Sequence, residues 1–185
     1  KFILTGSNQF SLLDSVTQSL AGRTAIIKLL PFSIHEIGDS ANSTSDSIML
    51  RGFYPGVYAH NLTPYKAYRN YYETYIERDL HSLIKVKDLS QFRRFVRICA
   101  GRAGNLVNFS SIAGETGISV ATVKAWINIL EASYIVFMLQ PFSYNVSKRF
   151  IKSPKIYFYD VGLLSYLLGI ENTNQLNRDP LRGAI

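Results

Sequence analysis

The residues of this sequence best suited to chemistry are an amide and a set of cations rather than nucleophiles. Between positions 120 and 133, Val123, Ile127 and Leu130 form an apolar set at helical spacing. That set leaves Lys124 and Asn128 on the opposite side of the helix, with Thr122 at its edge. An asparagine so placed can make paired hydrogen bonds to adenine, and a lysine can contact guanine or phosphate. Ala121, Ala125 and Ala132 share the face, and such small residues permit close approach of DNA or of another protein element. Further on, the only charges between Glu131 and Asp160 are Lys148, Arg149, Lys152 and Lys155, a uniformly basic stretch suited to phosphates.

Other chemistries find little support. Gly38-Asp39-Ser40 has the residues of a GDS-type esterase nucleophile block, but it lies in a Ser/Asn-rich stretch and no Asp-x-x-His follows to supply a base. His35, His60 and His81 show no ligand spacing, so no metal site is expected. Glu77-Arg78-Asp79 places its carboxylates in sequence rather than on one helix face, which favours ion pairing. The single cysteine, Cys99, excludes an internal disulfide and a multi-cysteine zinc site. No G-x-x-x-x-G-K-S/T phosphate loop occurs.

The elements that must position these residues can be read in order. Residues 2–4 and 25–30 are apolar runs expected to form buried strands, with a helix between them at about 11–22. One or two helical turns are expected at 32–37, then a surface loop or linker at 39–47. Thr63 and Pro64 open a long helix expected to reach about residue 84. Its Tyr65, Tyr68, Tyr72 and Tyr75 share a face, read as a packing seam in preference to a base-stacking platform. A helix over 90–102 puts Phe92, Phe95, Val96 and Cys99 on one side and Arg93, Arg94 and Arg97 on the other, so Cys99 is read as buried filler. A short helix at 108–116, a turn at Gly117-Ile118 and a Ser119-capped helix over 120–133 follow. A strand at 134–139, a turn-containing segment at 140–153 and a return strand at 156–159 complete the order of a winged helix. A helical segment over 162–169 comes after it.

The chain has 185 residues, 47% hydrophobic and 18% charged, which is enough to build a core and excludes a disordered chain. No apolar run is long enough for a membrane span. With one cysteine and no signal segment, a reducing, cytoplasmic location is expected. Residues 1–50 hold three basic and four acidic side chains, and the remainder holds 17 basic and nine acidic. The basic excess therefore belongs to the second part and points to an anionic partner there.

Several blocks carry a family resemblance. They are Phe2-Ile3-Leu4-Thr5-Gly6-Ser7-Asn8-Gln9-Phe10, Ser19-Leu20-Ala21-Gly22-Arg23, Leu29-Leu30-Pro31-Phe32-Ser33, Leu50-Arg51-Gly52-Phe53-Tyr54-Pro55, Tyr75-Ile76-Glu77-Arg78-Asp79 and Leu130-Glu131-Ala132-Ser133-Tyr134-Ile135-Val136. The run from Lys148-Arg149 through Tyr159-Asp160-Val161-Gly162-Leu163-Leu164 is the most specific. Together they resemble the middle portion of a prokaryotic AAA-type ATPase family whose members carry a winged helix and a C-terminal domain similar to restriction-type nucleases. The resemblance implies an α+β chain: the end of an α/β ATPase core at 1–47, a helical bundle at 48–104, a winged helix at 105–170 and a linker at 171–185. It implies Thr5 and Ser7 at the position that senses the γ-phosphate, and Arg23 as an arginine that contacts nucleotide. It also implies ATP and magnesium as cofactors of a longer protein, with the phosphate loop upstream and the nuclease-like domain downstream. This piece alone would hold no cofactor and hydrolyse no ATP. Two departures are visible: Phe53-Tyr54 stands where the family has glycine then phenylalanine, and the 39–47 loop is short.

The resulting expectation is a nucleotide-sensing end joined to a duplex-DNA-binding module. Its proposed contacts are Thr122, Lys124, Asn128, Lys148, Arg149, Lys152 and Lys155. A non-enzymatic connector that docks protein, or a stand-alone regulator, are the alternatives. Self-association through the strands at 2–4 and 25–30 is expected as well.

Overall fold

The computed structural model describes residues 3, 23, 25, 27–38, 44–59, 62–75, 89–142 and 153–185. The chain divides into two compact units, Lys1–Leu30 and Pro31–Ile185. In the first unit, residues 25 and 27–30 are irregular, with Ile27 and Leu29 83% and 91% exposed. The strand expected at 25–30 is not formed: an extended run becomes a strand only by pairing its backbone groups with a neighbour, and no described residue pairs with this one. The strand expected at 2–4, the helix at 11–22, Thr5 and Ser7 lie outside the described residues.

The second unit opens with the turn expected at 32–37. The Ser33 amide and hydroxyl both donate to Glu36 Oε2, at 2.8 and 2.9 Å. The Ile37 amide donates to the Ser33 carbonyl. This is a capping-box exchange closing one turn. The loop expected through residue 47 ends sooner, because Thr44 Oγ1 accepts the Ser47 amide and begins α1 (Ser45–Arg51). Asp46 in the first turn complements the exposed N–H groups there. Helices α2 (Pro55–Ala59) and α3 (Pro64–Tyr71) follow, with Pro64 at the first position of α3 and a single wide turn at 72–75 beyond it. The expected continuation from 76 to 84 lies outside the described residues. Tyr68 and Tyr72 are buried, and Tyr65 and Tyr72 lean on Tyr166 with ring centres 5.1 and 5.9 Å away. The tyrosine stripe is a packing seam.

The core is built on α4 (Leu89–Ala100), α5 (Phe109–Thr116) and α6 (Val120–Ala132). Trp126 of α6 meets Phe92 and Phe95 of α4 edge to face, at 5.3 and 5.1 Å between centres. Helix α5 starts at Asn108, whose side chain accepts the Ser111 amide, and stops at Gly117, whose φ of 74° only glycine adopts freely. Ser119 then caps α6 as its sequence predicts. The end of α6 is less legible. Tyr134 takes a φ of 53°, its amide donates to Glu131 and that of Ile135 to Leu130, which is a Schellman motif built on a tyrosine.

Strands β1 (Val136–Leu139) and β2 (Lys155–Phe158) pair antiparallel, Val136 opposite Phe158 and Leu139 opposite Lys155. Residues 104–107 line the other edge of β2: the Gly104 and Val107 amides donate to Ile156 and Pro154, and Leu106 bridges Lys155. Val136, Ile156 and Phe158 face the helices and are buried. Helices α7 (Val161–Leu167) and α8 (Thr173–Arg178) and a final 3-10 turn (Arg182–Ala184) close the unit, so residues 171–185 are folded, with Leu176 wholly buried. These last elements hold α1: Ser165 Oγ donates to the Met49 carbonyl and Arg182 pairs with Asp46. Among the described residues no helix is long and apolar enough to cross a membrane.

Cys99 is wholly buried in α4, and loss of solvent pushes its thiol up to about 12. The thiol is therefore expected to resist iodoacetamide in the native protein at mildly alkaline pH. It should react at the rate of a free thiol once urea unfolds the chain, and trapping followed by mass spectrometry reads both states.

Candidate nucleic-acid interface

The exposed side of α6 is set by its caps and its buried side. Val123, Trp126, Ile127 and Leu130 face the core, which leaves Ala121, Lys124, Ala125, Asn128 and Ala132 as one exposed stripe. Lys124 Nζ stands 5.5 Å from the centre of the Phe109 ring at the start of α5, a cation over an aromatic face. Asn128 is exposed and carries both a donor and an acceptor, the pair that reads adenine. Thr122 is half-buried at the edge of the stripe. Its hydroxyl lies 2.8 Å from Ser119 Oγ, which also accepts the Thr122 amide at 3.0 Å. On the neighbouring turn Arg102 binds Ser111 Oγ at 2.9 Å and pairs with Glu115, fixing residues 100–103 against α5.

Lys155 opens β2 and is exposed on the sheet's outer side. Lys148, Arg149 and Lys152 lie outside the described residues, as do Glu77, Arg78, Asp79, His60 and His81. Arg23 is exposed in a turn of the first unit. The sequence carries no G-x-x-x-x-G-K-S/T phosphate loop. His35 is exposed, and no three His, Cys, Asp or Glu among the described residues gather into a potential metal site.

The strongest polar constellation is one that sequence reasoning missed. Asp160 is wholly buried at the start of α7. Its Oδ1 accepts the Leu163 amide at 2.6 Å, and its Oδ2 accepts the Phe53 amide at 2.6 Å from 107 positions away. The Tyr68 hydroxyl lies within reach of this carboxylate and donates to the Arg51 carbonyl at 3.0 Å. Burial raises the carboxyl above the usual range, and the Leu163, Phe53 and Gly162 amides and the Tyr68 hydroxyl partly oppose that shift. Gly52 and Gly162 make room for the cluster. A β-carbon on Gly162 would fall 2.5 Å from the Tyr68 ring. Two family blocks, at 50–55 and 159–164, thus meet at one point and make a structural pin, whose Tyr68 and Gly162 also line the neighbouring cavity. The signal available in the sequence was an Asp three residues before a leucine at a helix start, which is an N-cap pattern.

Beside the pin lies a cavity of about 440 Å³ between α1, α3 and α7, lined by Arg51, Tyr65, Lys66, Tyr166 and Glu171 among others. Arg51 is already engaged there, its guanidinium 4.5 Å from the Tyr58 ring centre.

The described architecture is mixed helical with a two-stranded sheet, an α+β chain. Residues 42–174, well over half the chain, match the domain of unknown function DUF8612, and the chain belongs to that family. Residues 1–38 match an AAA domain. Uncharacterized proteins of Mycobacterium tuberculosis and Mycobacterium bovis are each 32% identical to it over its whole length. The chain spans 42% of the length of these relatives. No solved structure matches it.

Proposed function

We propose that this chain joins the nucleotide-sensing end of an AAA-type ATPase core to a winged-helix module that binds duplex DNA. The observation that carries the DNA half is the order of parts in the second unit. Helix α4, an edge segment at 104–107, α5, a tight turn, α6 and an antiparallel pair follow one another as in a winged helix. The stripe of Lys124 and Asn128 on α6 supports placing that helix in a major groove, with Lys155, Lys148, Arg149 and Lys152 on phosphates. Thr122 acts from the edge by holding the start of α6. The AAA match over residues 1–38 supports the ATPase half, in which Thr5 and Ser7 sense the γ-phosphate and Arg23 contacts nucleotide. In that reading ATP and magnesium belong to a longer protein, a phosphate loop precedes this piece and a nuclease-like domain follows it. The bare apolar run at Ile27 and Leu29 fits the edge of such a core, or a contact between copies in a homo-oligomer.

Fluorescence anisotropy of a labelled duplex over a salt series tests the DNA half. If the four basic residues each neutralise a phosphate, affinity falls roughly a hundredfold between about 50 and 200 mM salt. Changing Lys148, Arg149, Lys152 and Lys155 to Glu abolishes binding. An affinity that ignores salt, or that survives the charge reversal, overturns the assignment. The alanines of the α6 stripe favour a second reading, a connector docked on another protein element, and absence of binding at low salt selects it.

A further inference from the structure

Beside Lys155, which the duplex reading already uses, the outer face of the sheet carries aromatic and aliphatic side chains that neither the core nor the α6 interface uses. Phe137 and Tyr157 stand opposite each other across β1 and β2, their rings nearly parallel at 18° with centres 5.6 Å apart. Tyr159 continues the row, 5.1 Å from Phe137 and 5.8 Å from Tyr134. Beyond them Lys155 is flanked by Leu139 on one side and Leu106 on the other, both leucines more than half exposed. The helices pack on the opposite face, so these rings are not there to fill the core.

Charge decides what such a face suits. From residue 132 to 159 there is no carboxylate, and every charge is basic. The Glu131 carboxylate at the edge of β1 is taken up by the Met138 amide at 3.1 Å, and an aromatic and aliphatic surface ending in a cation complements a polyanion that also presents flat apolar faces. Nucleic acid has both features. Bases inside a duplex hide their faces, so these half-buried rings can meet only unpaired ones.

We propose that this face is a stacking platform for unpaired nucleotides: Phe137, Tyr157 and Tyr159 take base faces, and Lys155 takes the backbone. The platform stands without the α6 interface. Its fuller form rests on the duplex reading above, in which both surfaces act together on a duplex that carries a single-stranded tail.

Three labelled DNAs test it against the whole chain: a short oligothymidine, a blunt duplex and the same duplex with a thymidine tail. The tail is expected to tighten binding roughly tenfold or more, since each stacked base contributes appreciably and without regard to sequence. The paired change Tyr157→Leu and Tyr159→Leu removes that gain while leaving the blunt duplex unchanged, and unaltered Trp126 fluorescence certifies the fold. Should the variant fail to fold, photo-crosslinking of an iodouracil-bearing oligonucleotide to the native chain, mapped by mass spectrometry, is expected to mark Phe137, Tyr157 or Tyr159. Equal binding of tailed and blunt duplexes, a gain that survives the substitutions, or crosslinks confined to other surfaces overturns the platform. Blunt-duplex binding with no gain from the tail removes the platform and spares the α6 reading. Oligothymidine binding without duplex binding does the reverse. No binding to any of the three removes both.

Discussion

Replacing Asp160 with alanine is expected to destabilise the second unit by about 4 kcal/mol, because two buried amides lose their only acceptor and each costs about 1–3 kcal/mol when orphaned. The α7 cap is lost in the same change. Urea unfolding followed through the single, buried Trp126 measures it. Asp160→Asn keeps one carbonyl acceptor and is expected to lose about half as much. The pH dependence gives an independent signature. A carboxyl raised in the folded state binds its proton more tightly there than in the unfolded chain. Its contribution is therefore greatest at acid pH and declines as pH climbs from the usual carboxylate range through the raised value. In Asp160→Asn that part of the slope should flatten. A wild-type profile that the substitution leaves unchanged would remove Asp160 from the list of groups whose ionisation the fold perturbs.

Gly52→Ala is the second large effect. Gly52 has a φ of 63°, and a β-carbon on it would lie 2.0 Å from the Tyr68 hydroxyl and 2.6 Å from Asp160 Oδ1. Neither neighbour has anywhere to go, since Tyr68 is 1% exposed and Asp160 is pinned by two amides. Backbone strain and overpacking together should cost about 3 kcal/mol or more. A double-mutant cycle separates the causes: in the Tyr68→Phe background the hydroxyl is gone, and the alanine penalty should shrink by about 1 kcal/mol. A penalty identical in both backgrounds would assign the whole effect to the backbone of Gly52.

How much of this was legible in the sequence depends on how far apart the partners lie. Helix α6 was legible because its cap, Ser119, and its buried set repeat within a few turns. The stripe of Lys124 and Asn128 followed from the same periodicity. The place of the Thr122 hydroxyl beside Ser119 Oγ did not. Helix α1 was hidden by the Ser and Asp of its first turn, which read as loop until Thr44 is recognised as its N-cap. The edge segment at 104–107 has almost no strand character of its own and exists through its bonds to β2. The strand expected at 25–30 is the reverse case, an apolar run with no described partner. Asp160 stands within the block at 159–164, yet its meaning depends on an amide 107 residues earlier, and no local pattern can announce that. The γ-phosphate-sensing expectation for Thr5 and Ser7 rests on resemblance alone, and both lie outside the described residues.

The way α1 is held has a consequence for how the chain is made. Its anchors are Ser165, Arg182 and, through Phe53, Asp160, all more than a hundred residues downstream. A ribosome adding about 5–20 residues per second delivers them on the order of ten seconds after α1 itself emerges. During that interval α4 to α6, whose contacts are close in sequence, can settle, while the first helix waits with its apolar side bare. The nascent chain thus carries a segment that depends on residues made long after it, and that stretch of time is when it is most open to chaperones and to misassembly with a neighbour.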